Sequence, residues 1–232
     1  MARDSHWAAA AAALPEQARA ERERPFWQAL AGSFGWRKVV DAGCGAGFHL
    51  RLLRELGVEA VGFDAALAAL AGRPTSAVVG GDLLHPPLAD GVFDAALCLG
   101  NTFSLLPSRA VQREGLGALM RLVRPGGVVL LQGEDGGTRV AGGFVVRTRR
   151  LDAAAVHVRV FERVGRRVRM LAGVTRDDVD APLAATWLLP TSPAVVGRMT
   201  RGLGLVPVAL PAPPPLSGSG WWAALRARSP LP

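Results

Sequence analysis

A carboxylate followed by glycines at every second position stands out near the beginning of the chain. Asp41 comes directly after two valines and precedes Gly43, Gly45 and Gly47. Glycines can take positive φ angles and let the backbone approach a bound molecule closely. The pattern therefore predicts a strand, a tight turn and a helix around a small-ligand site.

The spacing argues against a ligand held by its pyrophosphate. The dinucleotide fingerprint needs a further glycine at the position where Phe48 stands. A phosphate loop needs Gly-Lys followed by Ser or Thr, and no such run follows these glycines. What remains is a carboxylate, Asp41, beside a glycine turn, which favours a ligand that carries an amine and a cationic centre.

Two further aspartates come at the ends of predicted strands. Asp64 follows an apolar run over 58–63, and Asp82 follows a shorter one over 77–80. A carboxylate at the first position can accept hydrogen bonds from both hydroxyls of a ribose. Asp82 can accept from an exocyclic adenine amine while Leu83 covers the ring. Each aspartate alone is better explained as a helix cap or turn residue, but the set predicts a site for ribose and adenine.

The first 140 residues alternate short apolar runs with helical stretches. A helix is predicted over 16–31, with Pro25 in the first turn of its second part, where proline is tolerated. Strands are predicted at 38–41, 58–63, 77–80, 92–99 and 128–132, and helices at 48–56, 65–71 and 109–123. Such alternation is typical of a parallel sheet with helices on both faces.

The pattern changes after Gly137 to residue-by-residue alternation. Predicted strands at 144–151, 155–163 and 167–174 form a three-stranded antiparallel insertion. In the second of them, three valines share one face, while His157, Arg159 and Phe161 share the other, and we expect His157 to face solvent. A helix over 192–203, a strand over 205–210, a loop over 211–220 and a strand over 221–226 follow.

These elements suggest four consecutive segments. Residues 1–36 are an N-terminal helical segment, and residues 37–140 are a cofactor-binding core. Residues 141–176 are the antiparallel insertion, which we expect to cover the acceptor site, and residues 177–232 complete the central sheet. The length of 232 residues is consistent with one large domain.

The motifs together resemble those of the class I S-adenosylmethionine-dependent methyltransferases. The resemblance covers about residues 37–133 and includes Phe93-Asp94-Ala95-Ala96-Leu97 and Arg124-Pro125-Gly126-Gly127. It implies an α/β, Rossmann-like sheet of seven strands with a reversed last strand, which the segment 221–225 fits. It also implies S-adenosylmethionine as cofactor, with the glycines near its methionine part. The expected cofactor contacts are Asp41, Gly43, Cys44, Gly45, Gly47, Asp64, Ala65, Asp82, Leu83, Leu99 and Gly100.

A finer resemblance lies in the segment 98–104, Cys-Leu-Gly-Asn-Thr-Phe-Ser. It is similar to the fourth motif of glycine/sarcosine N-methyltransferases and related small-molecule enzymes, in which the asparagine faces the substrate. This implies that Asn101 is the catalytic residue, with a turn-forming or capping role as the alternative. The segment lacks the Asn/Asp-Pro-Pro-Tyr/Phe signature of many nucleobase N-methyltransferases.

Other reactive side chains have limited roles in this interpretation. Methyl transfer from a sulfonium needs no protein nucleophile, and Cys98 is expected to be a core residue. If the acceptor loses a proton, His85, Glu134 and Asp135 are candidate bases, although each is also explained as a loop or cap residue. The sequence contains no set of residues with metal-ligand spacing.

The net charge of +8 and the pI near 11.3 raise the question of a nucleic-acid partner. All of the excess lies after residue 140, and between Arg147 and Arg169 there are eight arginines against two acidic residues. Arg147, Arg149 and Arg159 are predicted to bind a carboxylate or phosphate of the substrate. The alternative is a solvated strand face whose charges prevent aggregation.

The sequence thus predicts methyl transfer to a small-molecule acceptor, with nitrogen as the expected acceptor atom and an anionic group as an option. The alternatives are an RNA or ribosome-associated methyltransferase and a non-catalytic S-adenosylmethionine-binding protein. No recognisable RNA-binding module supports the first of these. No early apolar run is long enough to span a bilayer, and two cysteines fit a reducing cytoplasm. The sequence leaves the oligomeric state open.

Overall fold

The computed structural model describes residues 16–66, 77–134, 143–176, 183–215 and 220–228. The first element is helix α1 (Glu16–Phe34). It continues through Pro25, so the predicted second start at this proline is wrong. Pro25 is exposed, while Trp27 and Leu30 are fully buried. Packing of this apolar side holds the helix together although proline removes one backbone hydrogen bond.

The central sheet has seven strands and a reversed last strand, as the resemblance implied. Its strands are β1 (Lys38–Ala42), β2 (Glu59–Asp64), β3 (Val78–Gly80), β4 (Phe93–Cys98), β5 (Val123–Glu134), β10 (Leu205–Val208) and β11 (Gly220–Ala227). Their order is β10-β11-β5-β4-β1-β2-β3. The last strand, β11, runs antiparallel to both β5 and β10, whereas β1 to β5 are parallel.

Helices cover both faces of this sheet. They are α2 (Phe48–Glu55), α3 (Arg109–Leu122) and α4 (Pro193–Met199), and a short 3-10 turn spans Thr102–Leu105. One apolar core contains Trp27 of α1 and Leu53 of α2, and the other contains Leu116 and Leu119 of α3. Ser108 caps α3, since its side chain accepts a 3.2 Å hydrogen bond from the Val111 amide. The predicted α/β architecture is confirmed.

The antiparallel insertion follows β5 and forms a separate sheet. Its strands are β6 (Phe144–Arg150), β7 (Ala155–Val164), β8 (Arg167–Arg176) and β9 (Ala184–Leu188), paired in that order. Three strands lie where the alternation predicted them. The fourth, β9, was not predicted, because Ala-Ala-Thr-Trp-Leu shows little alternation of polar and apolar residues. The sheet therefore extends beyond residue 176.

The inner face of this sheet is the one that carries the arginines and the histidine. In β7, Phe161 and His157 have exposed fractions of only 1% and 9%. The expectation that His157 faces solvent is therefore wrong. Alternation identifies which residues share a face, but packing decides which face is covered, and here Val168, Met170 and Leu188 form a small core around Phe161.

Some predicted elements lie outside the described residues. The helix predicted over 65–71 falls mainly in 67–76, and the candidate base Asp135 lies in the undescribed segment 135–142. Among the helices of the described ranges, none combines the length and the apolar character that crossing a membrane requires.

Candidate cofactor and acceptor site

The site lies where the strand order of the central sheet reverses. Strand β1 is flanked by β2 on one side and β4 on the other, with Asp41 opposite Gly62 and Leu97. In open α/β sheets, ligands bind in the crevice beyond the carboxyl ends of the strands at such a point. The loops after β1 and β4 therefore form the two walls of the crevice.

The glycine turn after β1 needs its glycines for conformation and for space. Gly43, Gly45 and Gly47 have φ angles of 77°, 50° and 74°. A side chain at Gly43 would also collide with Thr102, the residue that begins the 3-10 turn after β4. The two walls of the crevice thus touch each other at this glycine.

Asp64 is attached directly to the glycine turn. Its Oδ2 accepts a 2.7 Å hydrogen bond from the Gly45 amide, and its Oδ1 accepts a 2.8 Å bond from the Ala66 amide. A carboxylate has further lone pairs, so both oxygens can still accept from ribose hydroxyls. Asp64 thus lies beside the glycine turn, and its role as a ribose ligand stays a prediction.

The residues after β3 lie beside Asp64 at the same edge of the sheet, because β3 pairs in parallel with β2. Asp82 is exposed, and its Oδ1 accepts a 3.0 Å hydrogen bond from the Leu84 amide, as a turn-forming aspartate does. Leu83 is buried in the core. One oxygen of Asp82 therefore forms the turn, while its exposed carboxylate stays accessible to a ligand.

Asn101 occupies the turn on the opposite wall. With φ at 75°, it is the single non-glycine residue with a positive φ in the part of the chain that the structure describes. Its side chain is buried, and its Oδ1 accepts a 2.6 Å hydrogen bond from the Glu134 amide. Next to it, the Gly100 amide donates to Oε1 of Gln132 at 2.6 Å, and Leu99 is buried. The turn is therefore fastened to the end of β5 at two points.

Glu134 links the central sheet to the insertion. Its Oε1 accepts a 2.7 Å hydrogen bond from Nη1 of Arg159, and its Oε2 accepts a 3.2 Å bond from Nη1 of Arg147. The Glu134 side chain is only 10% exposed. With both oxygens engaged, Glu134 is better suited to be a counter-ion than a base. Two of the three predicted substrate arginines are thus brought together, with a partner that the sequence did not indicate.

Arg149 lies on the same inner face, and no acidic side chain of the described ranges pairs with it. Burial lowers its pKa, and the positive charges of Arg22, Arg19 and Arg159 lower it further. This segment of the insertion therefore faces α1 with an excess of positive charge. Such a surface favours a bound anion.

His157 is a second inner-face residue whose position sequence reasoning missed. Burial lowers its pKa, and the positive charges of Arg159 and Arg149 act in the same direction. Its Nε2 is buried without a hydrogen-bond partner among the described residues. The imidazole is therefore neutral at pH 7 and available as a proton acceptor, although its two cationic neighbours weaken its basicity.

Asp41 contributes a buried acceptor below the glycine turn. Its side chain is 2% exposed, and one oxygen, Oδ1, has no hydrogen-bond partner in the described ranges. Its other oxygen lies 3.7 Å from Nδ1 of His49. An unpartnered carboxylate oxygen at this point fits an ammonium group, in agreement with the amine-bearing ligand that the sequence favoured.

The cysteines do not contribute a nucleophile. Both Cys44 and Cys98 are buried, and burial raises the pKa of each thiol well above its usual range. Cys44 packs against Gly62 beneath the glycine turn. Within the described ranges, no group of histidine, cysteine or acidic side chains is arranged to hold a metal ion.

A family model described as a methyltransferase domain matches residues 40–131. This part of the chain is therefore similar to methyltransferase domains. Glycine/sarcosine N-methyltransferase of Parasynechococcus marenigrum (strain WH8102) is 32% identical over 139 residues, which are 56% of this chain and 49% of that relative. The same-named protein of Halorhodospira halochloris is 30% identical over 122 residues, 49% of this chain and 46% of the relative. The chain spans about half the length of these relatives.

Solved structures resemble most of the chain in fold. The methyltransferase CcbJ of Streptomyces caelestis has a TM-score of 0.72 and 23% identity, and the alignment covers 90% of each chain. CalS10, an amino pentose methyltransferase of Micromonospora echinaspora, has a TM-score of 0.69 and 21% identity over 91% of each chain. These likenesses support the fold. The predicted fold is confirmed, and the match over residues 40–131 agrees with the predicted resemblance to class I S-adenosylmethionine-dependent methyltransferases.

Proposed function

We propose that the protein transfers a methyl group from S-adenosylmethionine to a nitrogen atom of a small acceptor that carries an anionic group. The observation that carries this proposal is the arrangement around the crevice. A glycine turn with Asp64 forms one wall, Asn101 lies on the other, and arginines of the insertion approach the end of β5. Nitrogen as acceptor atom is supported by relatives named for N-methylation of glycine and sarcosine.

The residues of the first wall fit the cofactor part by part. The unpartnered oxygen of Asp41 suits the ammonium, the glycine turn lets the methionine part approach the backbone, and Asp64 suits the ribose hydroxyls. Asp82 and Leu83 lie beyond Asp64, where adenine would follow. When bound, S-adenosylmethionine supplies an activated methyl group that forms a bond with the acceptor nitrogen as its bond to sulfur breaks, leaving a neutral thioether.

The protein contributes alignment and a destination for a proton. Holding two reactants in line can lower the barrier by about 7 to 11 kcal/mol. Methylation of a neutral amine leaves a positive charge on nitrogen until a proton departs. The neutral His157 on the insertion can receive that proton, and Asn101 on the opposite wall can hold the acceptor in line.

The insertion supplies the recognition of the anionic group. Arg149 has no acidic partner among the described residues, whereas Arg147 and Arg159 share Glu134. A carboxylate or phosphate on the acceptor can bind Arg149 directly through two parallel hydrogen bonds. Arg149 pairs with His157 across β6 and β7 and helps to lower its pKa, so the proposed anion and proton sites are adjacent.

The decisive experiment combines calorimetry with a screen of acceptors. We expect wild-type protein to bind S-adenosylmethionine and to transfer labelled methyl to amino acids, amino sugars or related amines. The variant Arg149→Gln should raise KM for the acceptor about tenfold or more, since a charge-assisted contact is lost. Arg150→Gln is the matched control, because Arg150 lies on the exposed face of the same strand.

Other outcomes would select one of the alternatives. Labelled methyl that appears in RNA instead of in any small amine would favour the RNA methyltransferase. Cofactor binding without transfer to any acceptor would favour a non-catalytic binding protein. If the protein does not bind S-adenosylmethionine, the proposed function is wrong.

A further inference from the structure

A buried chain of charged side chains connects α1 to the cofactor wall. His49, in the first turn of α2, lies between Asp41 at the end of β1 and Glu23 on α1. Its Nδ1 is 3.7 Å from Oδ2 of Asp41, and its Nε2 is 3.5 Å from Oε2 of Glu23. The side chains of His49, Asp41 and Glu23 are 13%, 2% and 9% exposed. One imidazole thus connects two buried carboxylates.

The outer end of this chain is held firmly by α1. Nε of Arg19 donates to Oε1 of Glu23 at 2.7 Å, and Nε1 of Trp27 donates to Oε2 at 3.2 Å. Nη2 of Arg19 also lies 3.1 Å from Nε2 of His49. Glu23 therefore has both of its oxygens engaged and a fixed orientation.

Aromatic rings fix the plane of the imidazole. The ring of Trp27 lies 5.2 Å from that of His49, centroid to centroid, and the ring of Phe48 lies 5.0 Å away, edge to face. Packed between these rings, His49 has little freedom to rotate away from Asp41. The position of the Asp41 carboxylate is consequently set by a residue that is itself set by α1.

The electrostatics support a charged imidazole in this place. Burial alone would lower the pKa of His49, but the nearby carboxylates of Asp41 and Glu23 raise it above the usual value of 6.5. An imidazolium can donate from both nitrogens at once, one toward each carboxylate. Each buried carboxylate then has a cationic neighbour, as buried charges require.

The inner end of the chain is left incomplete. Asp41 directs one oxygen toward His49, while the other, Oδ1, is buried with no hydrogen-bond partner in the described ranges. We propose that His49 is a positioning residue, held by Glu23, that fixes Asp41 so that this free oxygen receives the ammonium of the cofactor's methionine part. This inference rests on the proposed function and makes α1 a necessary part of the cofactor site.

Two ligands can separate this role from a general structural one. S-adenosylhomocysteine carries the amino-acid part with its ammonium, whereas 5′-methylthioadenosine keeps the adenosine and the thioether sulfur but lacks that part. A residue that positions Asp41 for the ammonium affects only the first ligand. A residue that merely holds the fold together affects both.

The experiment measures the affinities of both ligands by calorimetry for wild-type protein and for His49→Asn. We expect His49→Asn to lower the affinity for S-adenosylhomocysteine about tenfold. The affinity for 5′-methylthioadenosine should stay within about twofold of wild type. Asp41→Asn should have a similar effect, and the double variant should weaken binding less than the two single effects together, because the residues act as one unit. Glu23→Gln should also lower the affinity for S-adenosylhomocysteine alone, but by a smaller factor than His49→Asn does.

Glu55→Gln is the matched control for the α1 contact. Glu55 pairs with Arg24 of α1 at 2.5 Å on the surface, far more exposed than Glu23, so this variant should bind both ligands as wild type does. The inference is wrong if His49→Asn binds S-adenosylhomocysteine as tightly as wild type does, or if its affinity for both ligands falls equally. If His49→Asn does not fold, the same comparison with Glu23→Gln decides. Wild-type protein that binds neither ligand would overturn the proposed function as well.

Discussion

The side chain of Asn101 accepts a 2.6 Å hydrogen bond at Oδ1 from the backbone amide of Glu134. This bond joins the loop after β4 to the end of β5, and the carboxylate of the same Glu134 holds Arg147 and Arg159 of the insertion. Glu134 therefore connects the loop after β4, which forms one wall of the crevice, to the insertion. The backbone carbonyl of Asn101 also accepts a 2.8 Å hydrogen bond from the Ser104 amide, so the turn that presents its side chain is held on both sides.

Replacing Asn101 should separate its conformational role from its contacts. Asn101→Gly keeps the positive φ without strain and removes only the side chain. We expect kcat to fall at least about tenfold while the cofactor Kd changes less than about threefold, since a hydrogen bond and an acceptor contact are lost. Asn101→Ala should also lower Tm, because a left-handed alanine costs about 1 to 2 kcal/mol. Wild-type turnover in Asn101→Gly would show that only the turn matters.

Asp64 provides a test of the ribose site. Asp64→Ala should lower the affinity for S-adenosylhomocysteine about tenfold to more than a hundredfold, because charge-assisted hydrogen bonds contribute roughly 1.5 to 3 kcal/mol. Calorimetry on Asp64→Asn provides the comparison, since this variant removes the charge and keeps one oxygen, which can accept from the Gly45 or the Ala66 amide but not from both. An affinity that is unchanged in both variants would mean that the ribose is held elsewhere.

The salt dependence of binding distinguishes the two kinds of acceptor. Contact with RNA phosphates would reduce log K by about 0.7 per contact for each tenfold rise in salt, whereas one anionic group on one arginine should give a shallow slope. We expect RNA binding no tighter than the nonspecific range at physiological salt and a shallow slope for the small acceptor. Filter binding and steady-state kinetics over a salt series measure the two. A steep slope with methylated RNA would reverse the assignment.

The pH dependence of stability should reveal the buried charges around His49. Burial opposes ionisation of Glu23, but its contacts with His49 and Arg19 lower its pKa from 4.5 to about 2. Its contribution, on the order of 3 kcal/mol, is present above pH 4.5 and lost as the pH falls toward 2. The pKa of His49 is raised, so its contribution is present below pH 6.5 and lost as the pH rises through the raised value.

Unfolding by urea over a pH series measures this profile. Glu23→Gln should flatten the acid limb, and His49→Asn should flatten the alkaline limb. Glu55→Gln, whose side chain is 55% exposed, should leave both limbs in place, because surface ion pairs contribute little. If the stability of His49→Asn falls at alkaline pH as that of wild type does, a group other than His49 titrates in this range.

Local spacing in the sequence was sufficient to predict the glycine turn after β1 and the position of Asp64 beside it. The glycines of the turn and Asp64 follow directly from strands, and a residue at the end of a parallel strand must lie at the same edge as its equivalents. The alternation over 144–174 likewise predicted three strands and the residues that share each face. These features depend on near neighbours along the chain, so periodicity and strand order determine them.

The partners of the site residues were decided only by the tertiary structure. His49 meets Glu23 because α1 packs on α2, and Glu134 meets Arg159 because the insertion folds over the end of β5. Alternation could not show that His157 points inward, because the two faces of a strand are equivalent until one of them is covered. Contacts between elements distant in the chain depend on how the layers pack, and no local pattern encodes that packing.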